Sequence, residues 1–244
     1  MAKTVIITGA SRGIGAACAL RFGAAGYRVA VCYKQNEAMA KDVVQEINAN
    51  GGTAAAFCVN VAEEASVQAM FAEVEQKLGA AEILVNNAGI AQQKLFTDIS
   101  VQDWDAMLNT NAKGAFLCCR AALPYMLQHK WGRIINISSM WGQVGASCEV
   151  HYSAAKAALI GLTKALAAEE APSGITVNCI APGVIDTDML AGFTAQDKAQ
   201  LAQETPLGRL GTPQDVAAAV LFLAQESAAF ITGVTLSVSG GFIM

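Results

Sequence analysis

Short apolar runs alternate with longer stretches of helical periodicity along the whole chain. The runs Thr4–Thr8, Arg28–Cys32, Thr53–Val59, Glu82–Asn86, Arg133–Ser138, Thr176–Ile180 and Thr235–Val238 predict seven strands. Their unbroken Val, Ile and Ala character suits strands covered on both faces, as in parallel sheets. Between them, Gly13–Ala25, Glu37–Ala49, Glu63–Leu78, Val101–His129, Tyr152–Ala171 and Pro213–Ala224 predict helices. This alternation implies an α/β fold, a doubly wound parallel sheet with right-handed crossovers and helices on both faces. No repeat, low-complexity tract or linker interrupts it, so residues 1–244 read as a single domain. Pro124 removes a backbone donor from the long Val101–His129 pattern and predicts a kink or break there. Tyr152–Ala171 is apolar on nearly every face, more than one sheet can cover. With the apolar tail Gly240–Met244 it predicts an interface between copies of the chain.

Composition narrows the function classes. Apolar residues make up 54% of the 244 and charged residues 15%, which excludes a disordered chain. Sixteen Lys and Arg face 20 Asp and Glu, net −4, with no dense basic run, so neither nucleic acid nor an anionic membrane is the expected partner. The apolar stretch at the N-terminus is too short for a signal peptide, and runs such as Val216 to Ala224 fall far short of a membrane span. Seven cysteines without a Cys-x-x-Cys suit the reducing cytoplasm, and Cys118-Cys119 read as small apolar helix residues. With His129 and His151 the only histidines, no metal site is expected.

The first strand runs into Thr8-Gly9-Ala10-Ser11-Arg12-Gly13-Ile14-Gly15. Gly9 can take the positive φ needed to leave a strand, Gly13 lets backbone approach a phosphate, and Gly15 allows close helix packing. The helix N-terminus behind them would face a dinucleotide pyrophosphate, as in Rossmann-type folds. The second strand ends Val31-Cys32-Tyr33-Lys34-Gln35, with no carboxylate before Glu37 to bond a ribose 2′-hydroxyl. Lys34 and Arg12 could instead neutralise a 2′-phosphate, which predicts NADPH (NADP) over NADH. Asn60-Val61, after the third strand, could contact adenine.

Tyr152 and Lys156 stand one helical turn apart, 13 positions after Ser139. An unperturbed phenol titrates near roughly 10, so a neighbouring ammonium at i+4 would favour phenolate and ease proton exchange with a carbonyl oxygen. Ser139, at the end of the fifth strand, would hydrogen-bond that carbonyl.

On these motifs the chain resembles the short-chain dehydrogenase/reductase family over nearly its whole length. Thr8–Gly15 resembles the family's glycine motif, and Asn86-Asn87-Ala88-Gly89 its turn after strand four. Asn111, Ser139, Tyr152 and Lys156 resemble its catalytic tetrad, and Pro182-Gly183 with Ile185 and Thr187 its nicotinamide segment. The resemblance implies that Lys156 also holds the nicotinamide ribose and that Asn111 anchors a proton-supplying water. It implies a ketoreductase acting on CH-OH/C=O rather than a dinucleotide sensor, which would not need all four residues. Length and C-terminal third (Gly208–Gly211, Ile231–Gly233, Gly240-Gly241) resemble the 3-oxoacyl-(acyl-carrier-protein) reductases of fatty acid biosynthesis, which are usually tetramers. Lys130 and Arg133 are candidates to receive an acidic carrier at the pocket mouth. The stretch Trp141 to Val150, with Glu149, instead resembles reductases acting on 5-aminopentanone-modified elongation factor P, whose substrate carries an amine. Trp141, Glu149 and Met189 are the expected substrate contacts, and residues 186–209 the expected cap, with Gly192 and Gly208 as points where it could move.

Overall fold

The computed structural model describes residues 2–243, so Met1 and Met244, the outer ends of the predicted domain and tail, lie outside the described residues. Seven parallel strands form one sheet in the order β3-β2-β1-β4-β5-β6-β7. They are β1 (Thr4–Ile7), β2 (Arg28–Tyr33), β3 (Thr53–Cys58), β4 (Ala81–Asn86), β5 (Gly132–Ile137), β6 (Ile175–Pro182) and β7 (Thr235–Val238). Helices α1 (Gly13–Ala24), α2 (Glu37–Ala49) and α9 (Pro213–Ala224) cover one face, where Phe22, Ile47 and Val216 share a core with β1 and β2. On the other face lie α3 (Glu64–Leu78), α5 (Gly114–His129) and α7 (Val150–Glu170), with Phe57, Met70, Leu117 and Met126 buried. The central strands are thus covered on both sides, as their unbroken apolar runs require, while the edge strands β3 and β7 are partly exposed. The order reverses between β1 and β4, and a crevice opens at the strands' C-terminal ends, where open α/β sheets bind ligands.

Several details depart from expectation or refine it. The Val101–His129 pattern divides into α4 (Val101–Leu108), a π-helical turn at Asn109–Lys113, and α5. Pro124 does not end the helix: α5 continues past it to His129. Pro124 is exposed, so it forfeits one backbone bond without forcing its ring into packed neighbours. A short helix α6 (Trp141–Val144) precedes α7, and within residues 186–209 α8 (Ala195–Glu204) buries none of its residues. On α7, Ala155, Leu159, Thr163 and Ala167 face inward, while Ala157, Ala158, Gly161 and Ala165 are left uncovered by the rest of the chain. Phe230 and Leu236, near the β7 edge, are exposed as well.

All seven cysteines are free thiols, and Cys118 and Cys119 are buried among the helix packing. Among the described residues no helix is long and apolar enough to cross a membrane.

Candidate active site

The glycine loop is built to let something else approach it. Gly9 and Gly13 take φ of +64° and +56°, a region costly for side chains. A Cβ on Gly15 would sit 2.3 Å from the Gly9 carbonyl oxygen, so this glycine lets α1 close onto the loop. A Cβ on Gly13 would meet only Thr187, at 3.6 Å, across otherwise open space. Arg12 caps α1 with no side-chain bond, leaving the first-turn N–H groups to the crevice. Asn87 clamps the loop to β4: its side-chain amide donates to the carbonyls of Thr8 and Gly9 at 2.9 and 3.0 Å, and its N–H donates to Thr8 Oγ1 at 3.0 Å.

Beside the loop lies a cavity of about 330 Å³. Its walls include Gly9, Ser11, Arg12, Gly13 and Ile14 from the loop and Tyr33 and Lys34 from the end of β2. Asn60, Val61, Ala88 and Gly89 complete the predicted set on that wall. Gly15 is buried behind the loop and does not line it. Open backbone donors, positive-φ glycines and two cations with no carboxylate on β2 fit a phosphorylated dinucleotide. Asp188 also lines this cavity and pairs with Arg12 at 3.4 Å, both exposed.

A second cavity of about 500 Å³ adjoins the first and shares Ile14, Asn87, Gly89, Ile90, Thr187 and Met189 with it. Ser139, Tyr152, Lys156, Pro182, Gly183 and Ile185 line it, with the predicted substrate residues Trp141, Glu149 and Met189. The sheet and α7 therefore bring Ser139, Tyr152 and Lys156 to one wall.

Asn111 stands apart from that wall. It is buried in the π-helical turn and lines neither cavity. Its side chain exchanges two bonds with the Ile90 backbone, accepting at 2.8 Å and donating at 2.9 Å. Gly89 keeps the space before it open, since a Cβ there would lie 2.6 Å from Asn111 Oδ1 and 3.4 Å from Lys156 Nζ.

The electrostatics of the pair differ from the sequence expectation. Lys156 Nζ donates to the Ile137 carbonyl at 2.8 Å and sits 5.7 Å from the centre of the Tyr152 ring. Burial pushes the Tyr152 phenol up to about 12, and hydrogen bonding to Ser139 offsets this only in part. Burial also brings Lys156 down to about 8. In this arrangement the ammonium does not acidify the phenol, because it bonds a carbonyl beneath the ring instead of the hydroxyl. Tyr152 is consequently a proton-bearing group at neutral pH, the form a ketone reduction needs.

Two other expectations are corrected. Arg133 is the second residue of β5, at the sheet end opposite the crevice, and is buried against Glu226 at 3.3 Å and the Trp131 ring. Lys130 precedes the same strand start, so neither residue stands at the mouth of these cavities. Phe193 and Leu201, from the segment 186–209 expected to close over the substrate, also line the cavity, whereas Ile90, Gln92 and Gln93 were not anticipated as wall members. Ile90, Gln92 and Gln93 follow directly on the Asn86–Gly89 turn, and a loop leaving the C-terminal end of a central parallel strand is the signal that points to them.

The family model described as enoyl-(acyl carrier protein) reductase matches residues 9–243. Among curated proteins, the chain is 45% identical over 244 residues to 3-oxoacyl-(acyl-carrier-protein) reductase FabG of Staphylococcus aureus (strain Mu50), covering 100% of this chain and 99% of that one. It is likewise 45% identical to the 3-oxoacyl-(acyl-carrier-protein) reductase of Synechocystis, covering 98% of it. The FabG protein of Aquifex aeolicus is 43% identical over 240 residues, 98% of this chain and 96% of that one.

Proposed function

The chain belongs to the short-chain dehydrogenase/reductase family of oxidoreductases, and from that premise we propose that it is an NADPH-dependent ketoreductase acting on 3-oxoacyl groups carried by acyl carrier protein. The observation carrying this is the meeting of Ser139, Tyr152 and Lys156 on one cavity wall that continues into the glycine-loop cavity. The full-length similarity to proteins named 3-oxoacyl-(acyl-carrier-protein) reductase gives the substrate class.

A nicotinamide dinucleotide, when bound, supplies the hydride. The first-turn N–H groups of α1 would hold its pyrophosphate, and Arg12 and Lys34 a 2′-phosphate. Tyr152 hands its proton to the carbonyl oxygen as negative charge develops there. Ser139 hydrogen-bonds that oxygen and fixes its approach. Lys156, its ammonium on the Ile137 carbonyl and 5.7 Å from the Tyr152 ring centre, would hold the nicotinamide ribose. Asn111, through Ile90, fixes the loop beside the shared wall of the two cavities. The uncovered face of α7 and the β7 edge support a homo-oligomer, with a tetramer favoured, and the free thiols support a cytoplasmic setting.

A second reading rests on one side chain. Glu149 lines the substrate-side cavity and would favour a ketone bearing an amine, as on 5-aminopentanone-modified elongation factor P. Initial rates decide between them: the first reading expects acetoacetyl-carrier-protein thioester to be reduced well ahead of an aminoketone-bearing protein. It also expects kcat/KM with NADPH at least about tenfold above NADH, the loss of one charge-assisted phosphate contact. Preference for the aminoketone would overturn the carrier-protein reading, and equal use of both cofactors the NADPH reading.

A further inference from the structure

The least accounted-for polar group near the cavity is His151, which is wholly buried and directly precedes Tyr152. Its Nε2 lies 3.0 Å from Gln92 Oε1, while its Nδ1 has no partner at all. The same Gln92 donates from Nε2 to Asp103 Oδ1 at 3.2 Å. Asp103 also accepts from Lys94 at 2.7 Å and from the Ser100 hydroxyl and N–H, contacts that hold its carboxyl well below the usual range. An ionised Asp103 accepts and cannot donate, so the Gln92 amide must turn its NH2 towards Asp103 and its carbonyl towards His151. His151 must then carry its proton on Nε2. The silent Nδ1 agrees, since a proton there would face no acceptor.

The loop this bond holds is tied down at both ends. Ile90 exchanges two bonds with Asn111 at one end. At the other, the Lys94 N–H donates to the Cys148 carbonyl at 2.8 Å, and Gln93 Nε2 to Glu149 Oε1 at 3.1 Å. Gln92 lies between these anchors and lines the substrate-side cavity with Tyr152.

Resting on the reading of Tyr152 as general acid, we propose that His151 is a positioning residue for ketone reduction: its Nε2–H, set in one tautomer by Asp103 through Gln92, fixes the first turn of the Tyr152 helix against the loop that walls the substrate cavity.

The test uses glutamine and asparagine as opposite probes, because a Gln side chain carries its amide nitrogen as far from the backbone as His Nε2, and Asn only as far as Nδ1. With the full chain, NADPH and an acetoacetyl thioester, His151→Gln is expected to stay within about threefold of wild-type kcat. His151→Asn is expected to lose roughly 10- to 100-fold in kcat, the scale of a small misplacement of a reacting group, with NADPH affinity by fluorescence titration unchanged. Gln92→Met should reproduce the asparagine effect, and the double variant His151→Asn/Gln92→Met should be no worse than either alone. Equal kcat for the Gln and Asn variants, or additive losses in the double variant, would overturn the proposal. Turnover surviving in Tyr152→Phe would overturn the general-acid reading instead, so the two failures are distinguishable.

Discussion

Two cations are buried at opposite ends of the same sheet, and their surroundings could hardly differ more. At the N-terminal end Arg133 is matched by the carboxylate of Glu226, stacked on Trp131, and bonded to the Gly132 carbonyl. At the C-terminal end Lys156 has only the Ile137 carbonyl, and burial has brought it down to about 8. The first arrangement balances its charge within the protein, although Arg133 Nε is left without a partner. The second keeps a charge short of partners beside an open cavity, a perturbed group of the kind that marks candidate functional sites. The first reads as a fastening of the fold; the second supports the role proposed for Lys156 beside Tyr152.

The largest effect that could break this contrast is loss of turnover. Lys156→Met and Tyr152→Phe are each expected to lower kcat/KM by on the order of 10²–10⁴, as loss of an acid–base group does, while the fold survives. Arg133→Met should leave kcat/KM of the folded protein close to wild type. Near wild-type turnover in Tyr152→Phe would show that the proton comes from elsewhere. A large loss in Arg133→Met with an unchanged melting temperature would show that the two ends are not separate.

Next in size is a pH effect. Lys156 is depressed, so its ammonium is complete below about 8 and is lost as pH rises through that value. Tyr152, raised to about 12, keeps its proton across the same range. If the ammonium is the working form, kcat/KM for the cofactor, which reports the free enzyme, should be level below pH 8 and fall roughly tenfold per unit above it. A profile that stays level to pH 10 would mean that Lys156 is not short of partners.

Much of this was legible beforehand, and the rest for definite reasons. Three elements match their predicted bounds, and α9 shows why: Thr212 and Asp215 form a capping box and Pro213 opens the helix, a start written in adjacent residues. The glycine loop and the Tyr152/Lys156 pair were legible in the same way, each spanning eight residues or fewer. The π-helical turn was not, because one widened turn leaves the apolar pattern of 101–129 almost unchanged. His151 and Gln92 stand 59 residues apart and meet only through the fold. The misplacement of Arg133 was avoidable: ligands gather at the C-terminal ends of parallel strands, and Arg133 lies at the N-terminal end of one. The direction of Lys156 towards Ile137 was beyond any spacing rule, since i+4 puts two side chains on one face without choosing which atoms meet.

Stability should separate the ends further. Glu226→Gln leaves Arg133, whose side chain is 2% exposed, without its counter-charge. Because Glu226 is itself largely in water, the expected cost is about 1–3 kcal/mol, below that of breaking a fully buried pair. Thermal unfolding should show Tm falling by about 2–10 °C with turnover preserved. No change in Tm would mean that Arg133 is adequately held by carbonyls and Trp131 alone.

The smallest effect tests which partner matters to that fastening. Lys3 bonds Glu226 at 3.2 Å and is the largest cause of its lowered pKa, ahead of Trp131 and Arg133. Lowering gives a contribution present above the ordinary glutamate range and lost as pH falls through the folded value. Yet the Lys3 side chain is 34% exposed and Glu226 is 65% exposed, so water screens that pair and replaces it when it is lost. Arg133 has no such replacement. Lys3→Met should therefore cost no more than about 1 kcal/mol, less than Glu226→Gln, even though it removes the ion with the stronger pull on the carboxylate. In thermal scans at pH 7, a Lys3→Met loss equal to that of Glu226→Gln would mean that the surface ion pair, and not the buried arginine, holds this end of the sheet.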